Sequence, residues 1–303
     1  MQNVLQVYRK KAFASYLYNN MLESLSKTLP NGIFLRHWEI KDPIGVVVSV
    51  HGMGTHSGRF EKMASGLAKM GIMSYGYDHP GHGNSPGKRG HVNSYDDLLN
   101  ALESVVNYVK TKHSDLPVFV FGHSMGGNVV ANFVIRRKPD LDGVVLSSPW
   151  LKLAFSPPFF KMMLARAVVS FWPGLTQSSK LNVNYISHNP EILKAYDEDP
   201  LVHAKITPKF FLETNKAGYY ALEHANEFKL PLYLYHGTAD HITSFDASVQ
   251  FAKKVPNCIF EPWEGCYHEV HHEWVYPELM NSISSFVQDR ISKYNSHKLS
   301  VAG

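Results

Sequence analysis

The chain has two cysteines, Cys258 and Cys266, in 303 residues. That is too few for a disulfide framework, so a packed core must carry the fold, and a reducing compartment is expected. No uncharged apolar run reaches the length of a membrane span, which excludes an ordinary spanning helix. The opening Met1-Gln-Asn-Val-Leu-Gln-Val-Tyr-Arg-Lys-Lys carries positive charge with no apolar run behind it, which argues against a secretory leader. Neither sign of charge dominates: the formal net charge is +4, and the basic residues are scattered rather than gathered into a nucleic-acid stripe. Internal repeats and low-complexity tracts are missing too, which sets aside solenoids and disordered arrays. The remaining expectation is a soluble, cytoplasmic, globular protein with no nucleic-acid partner, and contact with a membrane surface stays open.

What is present is an apolar fraction of 44 %, enough for a sizeable core. Ile33 to Ile40 reads as a strand, and Gly45 to Val50 as a strand buried on both faces. Arg59 to Met70 has helical spacing and Ile72 to Tyr77 is again strand-like; Asp78 to Gly87 is a glycine- and proline-rich loop. Ser94 and Asp97 stand at capping-box spacing before a helix expected over Tyr95 to Lys110. A strand at Pro117 to Phe121, a helix from Asn128 and a strand from Gly143 continue the alternation. Such alternation is the signature of an α/β protein with a mostly parallel sheet and helices on both faces. Residues 4 to 28 are amphipathic and read as partly helical.

From Trp150 the rhythm breaks. Phe155 to Trp172 is apolar nearly all round, and strand signals resume only at Leu230-Pro-Leu-Tyr-Leu-Tyr-His-Gly. Helix over Phe245 to Lys254, strand over Cys258 to Pro262 and a closing helix from Pro277 to Lys293 complete the pattern. The expected division is a core of residues 1–149 and 229–303 interrupted by a helical insertion over 150–228.

The chemistry-bearing stretch is Gly122-His-Ser-Met-Gly-Gly, between a buried strand and a helix. This is G-x-S-x-G in strand–turn–helix context, a nucleophile elbow that presents Ser124 on a sharp turn. Acyl chemistry at a serine needs a histidine to take its proton and a carboxylate to fix the imidazole, in chain order Ser, Asp or Glu, His. Asp240 follows the strand ending at Tyr235-His236, and Asp246 and Asp199 are weaker alternatives. His268 lies in a loop after the last strand, with His271 and His272 as rivals. The backbone N–H groups of Met125, next to the nucleophile, and Met53, in His51-Gly-Met-Gly, are the candidate oxyanion donors. His268-Glu-Val-His-His also matches H-E-x-x-H, a zinc motif. No helix pattern leads into it, a convincing third ligand is missing downstream, and the elbow would be left unexplained, so no metal is assigned.

His51-Gly-Met-Gly-Thr-His-Ser-Gly-Arg-Phe, Tyr77-Asp-His-Pro-Gly-His-Gly-Asn-Ser, Gly122-His-Ser-Met-Gly-Gly, Gly237-Thr-Ala-Asp and Gly265-Cys-Tyr-His-Glu together resemble the monoacylglycerol lipase and lysophospholipase branch of the serine α/β-hydrolases. The resemblance runs from Gly32 to Arg290. It implies an α/β-hydrolase fold, a Ser124–Asp240–His268 triad, an oxyanion hole of Met53 and Met125, and a cap over 150–228 that covers an acyl tunnel. The apolar stretch Phe155 to Trp172 fits both a cap that lines the tunnel and touches lipid surfaces and a buried cap helix that fills the space above the sheet. The resemblance implies hydrolysis of acyl-lipid esters without a cofactor. A short-chain carboxylesterase, a thioesterase or an acyltransferase on the same triad is the alternative.

Overall fold

The computed structural model describes residues 22–302. In chain order come β1 (Leu25–Thr28), β2 (Phe34–Trp38), β3 (Gly45–Val50), α1 (Glu61–Ala68), β4 (Ile72–Tyr77), α2 (Asp96–Lys112), β5 (Val118–His123), α3 (Met125–Arg137) and β6 (Gly143–Ser147). The stretch that follows holds α4 (Phe159–Phe171), β7 (Gln177–Ser178), α5 (Pro190–Glu198), β8 (Lys205–Ile206) and α6 (Pro208–Glu223). Then β9 (Leu232–Gly237), α7 (Phe245–Lys254), β10 (Cys258–Trp263) and α8 (Tyr276–Ala302) close the chain.

Eight strands form one sheet in the order β1-β2-β4-β3-β5-β6-β9-β10. The pairs from β4 through β10 are parallel, and β1–β2 and β2–β4 are antiparallel. Successive side chains of a strand point to opposite faces, and the buried strands obey this. Val46, Val48 and Val50 of β3 and Val118 and Val120 of β5 enter one core, while Val47, Phe119 and Phe121 enter the other. The first core is closed by α2 and α3, with Leu98, Leu102, Val105, Val106 and Val109 at helical spacing. On the other side α1 and α8 present Met63, Leu67, Leu279, Ile283 and Val287. With both faces covered, continuous apolar strands such as Val-Val-Val are the stable solution.

The α/β expectation holds, with differences at the margins. Of the stretch expected to be partly helical, residues 4–21 lie outside the described residues, while Leu25–Thr28 is an antiparallel edge strand, every residue exposed. A fully exposed strand carries no apolar alternation to read. Ser94 and Asp97 do cap α2: the Asp97 carboxylate accepts from the Ser94 N–H and the Ser94 hydroxyl from the Asp96 N–H. The last helix runs past Lys293 to Ala302.

Residues 150–228 add no strand to the eight-stranded sheet but do form the two-residue β7–β8 ladder, too short to leave a sequence signal. This stretch is tied to α3 by buried asparagines. Asn128 Nδ2 donates to the carbonyls of Trp150 (2.7 Å) and Thr214 (3.0 Å), and Asn132 Nδ2 to that of Ala217 (3.0 Å). No helix among the described residues is long and apolar enough to cross a membrane.

Candidate active site

Parallel strands deliver their following loops to one edge of the sheet, where open α/β folds place their sites. The loops after β3, β5, β9 and β10 carry His51–Gly54, Ser124, Asp240 and His268.

Ser124 has φ 55° and ψ −119°, a conformation non-glycine residues rarely adopt. The strain is held from both sides: Ser124 N donates to the Ser147 carbonyl (2.9 Å), and its own carbonyl accepts from Asn128 N and Trp150 N. The flanking glycine is needed for close approach, since a Cβ on Gly126 would drive into the Val50 carbonyl oxygen. Such a turn lifts the Ser124 hydroxyl off the sheet edge and starts α3 at Met125, whose N–H lies in the first turn, where helix donors have no intrahelical partner. The Gly52 position lies 3.2 Å, measured from an idealised Cβ, from Ser124 Cβ. The loop bearing Met53 therefore packs directly against the serine.

His268 Nε2 lies 2.9 Å from Ser124 Oγ, and its Nδ1 lies 2.7 Å from Asp240 Oδ2. A carboxylate only accepts, so Nδ1 carries the proton and Nε2 is free to accept from the serine hydroxyl. Asp240 Oδ1 accepts from the backbone N–H groups of Ile242 (2.7 Å) and Thr243 (3.1 Å). Burial alone would raise the Asp240 pKa, but the electrostatic attraction of the His268 imidazole and hydrogen bonds from His236 and His268 overcome it and hold the carboxyl well below the usual range. The arrangement can draw a proton from Ser124 and keep the resulting imidazolium facing an anion.

The rivals fall elsewhere. Asp246 is exposed in the first turn of α7. Asp199 Oδ2 accepts from His56 Nε2 at 2.8 Å. His271 and His272 lie in a short 3-10 turn, Val270–His272, rather than a helix. His268 itself has its two nitrogens on Ser124 and Asp240, so the H-E-x-x-H pair does not assemble. Glu269, His271 and His272 do bring ligand-capable atoms within 4.8 Å of one another. Glu269 Oε2, however, already accepts from Arg59 Nη2 (3.0 Å) and His272 Nδ1 (2.6 Å), so a cation there would face the guanidinium. Burial opposes the Glu269 charge, but Arg59 and then His272 hold the carboxyl well below its ordinary value.

Buried histidines surround the site. His51 accepts from the His79 N–H at Nε2 (2.9 Å), which leaves Nδ1 to donate to the Gly52 carbonyl (2.8 Å) and brace the loop of Met53. Burial pushes its pKa down to about 3, so it is neutral near pH 7. His123 packs its ring 4.7 Å from that of His268 and 4.9 Å from that of His271, and burial lowers its pKa to about 3. The loop histidines His79 and His82 are likewise buried and held neutral by burial. His236 and Thr243 also come within reach of Asp240 Oδ2, and neither carries a motif of its own; the one signal in the sequence is the place of His236 just before Gly237-Thr-Ala-Asp.

The sheet, the strained serine and the histidine behind it define an α/β-hydrolase with serine at the nucleophile turn. Residues 41–274 match the Hydrolase_4 family, described as serine aminopeptidase S33, and the chain belongs to it. An uncharacterised abhydrolase domain-containing protein of Dictyostelium discoideum is 33 % identical over 281 residues, which cover 90 % of this chain and 29 % of that protein. The monoglyceride lipase of Rattus norvegicus is 28 % identical over 275 residues, 89 % of each chain. A crystal structure of the monoacylglycerol lipase of Paleococcus ferrophilus superposes with a TM-score of 0.76 at 32 % identity, covering 89 % of this chain and 99 % of that one.

Proposed function

We propose that the protein hydrolyses carboxylic esters of acyl lipids, monoacylglycerol or lysophospholipid, through an acyl-enzyme on Ser124. The observation that carries this reading is the continuous line Ser124 Oγ, His268 Nε2, His268 Nδ1, Asp240 Oδ2, with contacts of 2.9 and 2.7 Å. His268 takes the Ser124 proton as Oγ bonds to the ester carbonyl carbon. The oxyanion sits on the N–H groups of Met53 and Met125, and the leaving alcohol departs with the proton from His268. Water, deprotonated by the same imidazole, then releases the fatty acid. No step requires a cofactor.

Residues 150–228 act as the cap. Their backbone reaches the catalytic loops: His268 N donates to the Tyr185 carbonyl, Glu269 N to that of Ile186, and His203 N to that of Gly54. On α4 and its flanks Phe155, Phe160, Met163, Leu164, Phe171 and Trp172 are exposed, an apolar face suited to transient contact with a lipid surface. The names of the relatives support a glycerol ester as substrate. Measuring kcat/KM over monoacylglycerols and lysophospholipids of graded chain length, with short-chain esters alongside, tests the reading. It predicts the highest values for long- or medium-chain acyl lipids; a preference for short esters would support a general carboxylesterase instead.

A further inference from the structure

The carboxylate of Asp240 is approached by two imidazoles. Besides His268 Nδ1, His236 Nε2 lies 3.0 Å from the same oxygen, Oδ2. The His236 side chain is fully buried, stands on β9 and is the residue before Gly237. Because the carboxylate can only accept, His236 donates from Nε2. Its other nitrogen, Nδ1, lies 2.8 Å from Ser248 Oγ on α7, and in the neutral ring it accepts from that hydroxyl. The ring is packed edge-on against Phe245 at 5.8 Å, so it is held in this orientation.

The geometry points to His236 as a positioning residue for the Ser124 reaction, holding Asp240 ionised and aimed at His268, with Ser248 setting the tautomer in which it does so. The inference rests on the proposed triad. Thr243 Oγ1 also reaches Asp240 Oδ2 at 2.8 Å, but its single proton has a second acceptor in the Ser148 carbonyl at 3.1 Å. At His236 Nε2 the other oxygen in reach is Thr243 Oγ1 at 3.5 Å, so the 3.0 Å contact to Oδ2 is the better acceptor for that proton. When His268 accepts the Ser124 proton, the proton on its Nδ1 must stay there rather than pass to Asp240. A second N–H on Oδ2 stabilises the anion and so keeps that proton on the imidazolium. Two segments distant from the serine in sequence, β9 and α7, thereby hold the acid.

The test compares His236→Leu, His236→Gln and Ser248→Ala with wild type on a soluble chromogenic ester, with folding checked by circular dichroism. His236→Leu removes the donor and should lower kcat by about tenfold or more at nearly unchanged KM. His236→Gln places an amide N–H near the Nε2 position and should recover most of the loss. Ser248→Ala leaves the ring in place, frees its tautomer and should lower kcat by about threefold or more, again with KM unchanged. The downfield proton resonance of His268 Nδ1–H should move in His236→Leu and return in His236→Gln. Glutamine doing no better than leucine, or Ser248→Ala matching wild type in kcat, would overturn the inference even if the leucine variant does not fold. Ser124→Ala run in parallel keeps the two ideas apart: turnover that survives it defeats the triad itself, whatever His236 does.

Discussion

Arg59 and Glu269 meet as a buried ion pair, Nη2 to Oε2 at 3.0 Å, one residue beyond His268. The guanidinium also lies over the ring of Tyr196 on α5, 5.1 Å from its centroid, so one cation joins the base-bearing loop to the 150–228 segment. Both side chains are about nine-tenths buried, so removing one partner strands a charge. Glu269→Gln should therefore destabilise the fold by about 3–5 kcal/mol in urea melts. The same pair sets an acid limit. The folded-state pKa of Glu269 is depressed, so its contribution is complete above the unfolded value near pH 4.3 and is lost as pH falls through the folded one. Melting temperature followed downward from pH 6 should drop below about pH 4, and less steeply in Glu269→Gln.

Asp240→Asn tests how far the imidazole depends on its acid. An amide can present N–H to His268 Nδ1 and force the proton onto Nε2, the wrong tautomer to accept from Ser124. Turnover should fall by about 10⁴-fold with substrate affinity nearly retained, as measured by steady-state kinetics.

Asn128 joins α3 to the residues after β6. Besides its two carbonyl acceptors, its Oδ1 accepts from the buried Tyr95 hydroxyl at 2.5 Å. Asn128→Leu would take the side-chain donor from the Trp150 and Thr214 carbonyls and leave the Tyr95 hydroxyl only the Asn128 backbone carbonyl, at 3.3 Å. Chemical denaturation should show a loss of about 2 kcal/mol or more, at roughly 1–3 kcal/mol for each carbonyl left unsatisfied.

If the exposed apolar face of α4 meets lipid as proposed, substitutions there should separate surface binding from chemistry. Phe160→Ser with Leu164→Ser changes two side chains that are 66 % and 62 % exposed, so stability should hold. Rates on substrate dispersed in phospholipid vesicles should fall several-fold, while rates on a water-soluble short ester stay level. An equal loss on both substrates would point to damage at the site instead.

Much of this arrangement was legible because it is local. Strands buried on both faces spell themselves in Val-Val-Val and Val-Phe-Val-Phe, and the elbow requires its glycines within a few residues of Ser124. That Asp240 and His268 would come to lie beside Ser124 was readable from their order and their places after strands. Leu25–Thr28 was not, because an exposed edge strand is held by pairing with β2 and has no apolar pattern of its own. The β7–β8 ladder depends on two short segments meeting across the α5 region. His236, Ser248 and Asn128 escaped for a related reason: their roles come from partners that only the folded chain brings within hydrogen-bonding distance.

The most direct test of the account is labelling by a fluorophosphonate, with peptide mapping by mass spectrometry. Wild-type protein should carry one adduct, on Ser124, and Ser124→Ala should carry none and hydrolyse no ester. An adduct on another residue, or labelling and turnover that persist in Ser124→Ala, would contradict it.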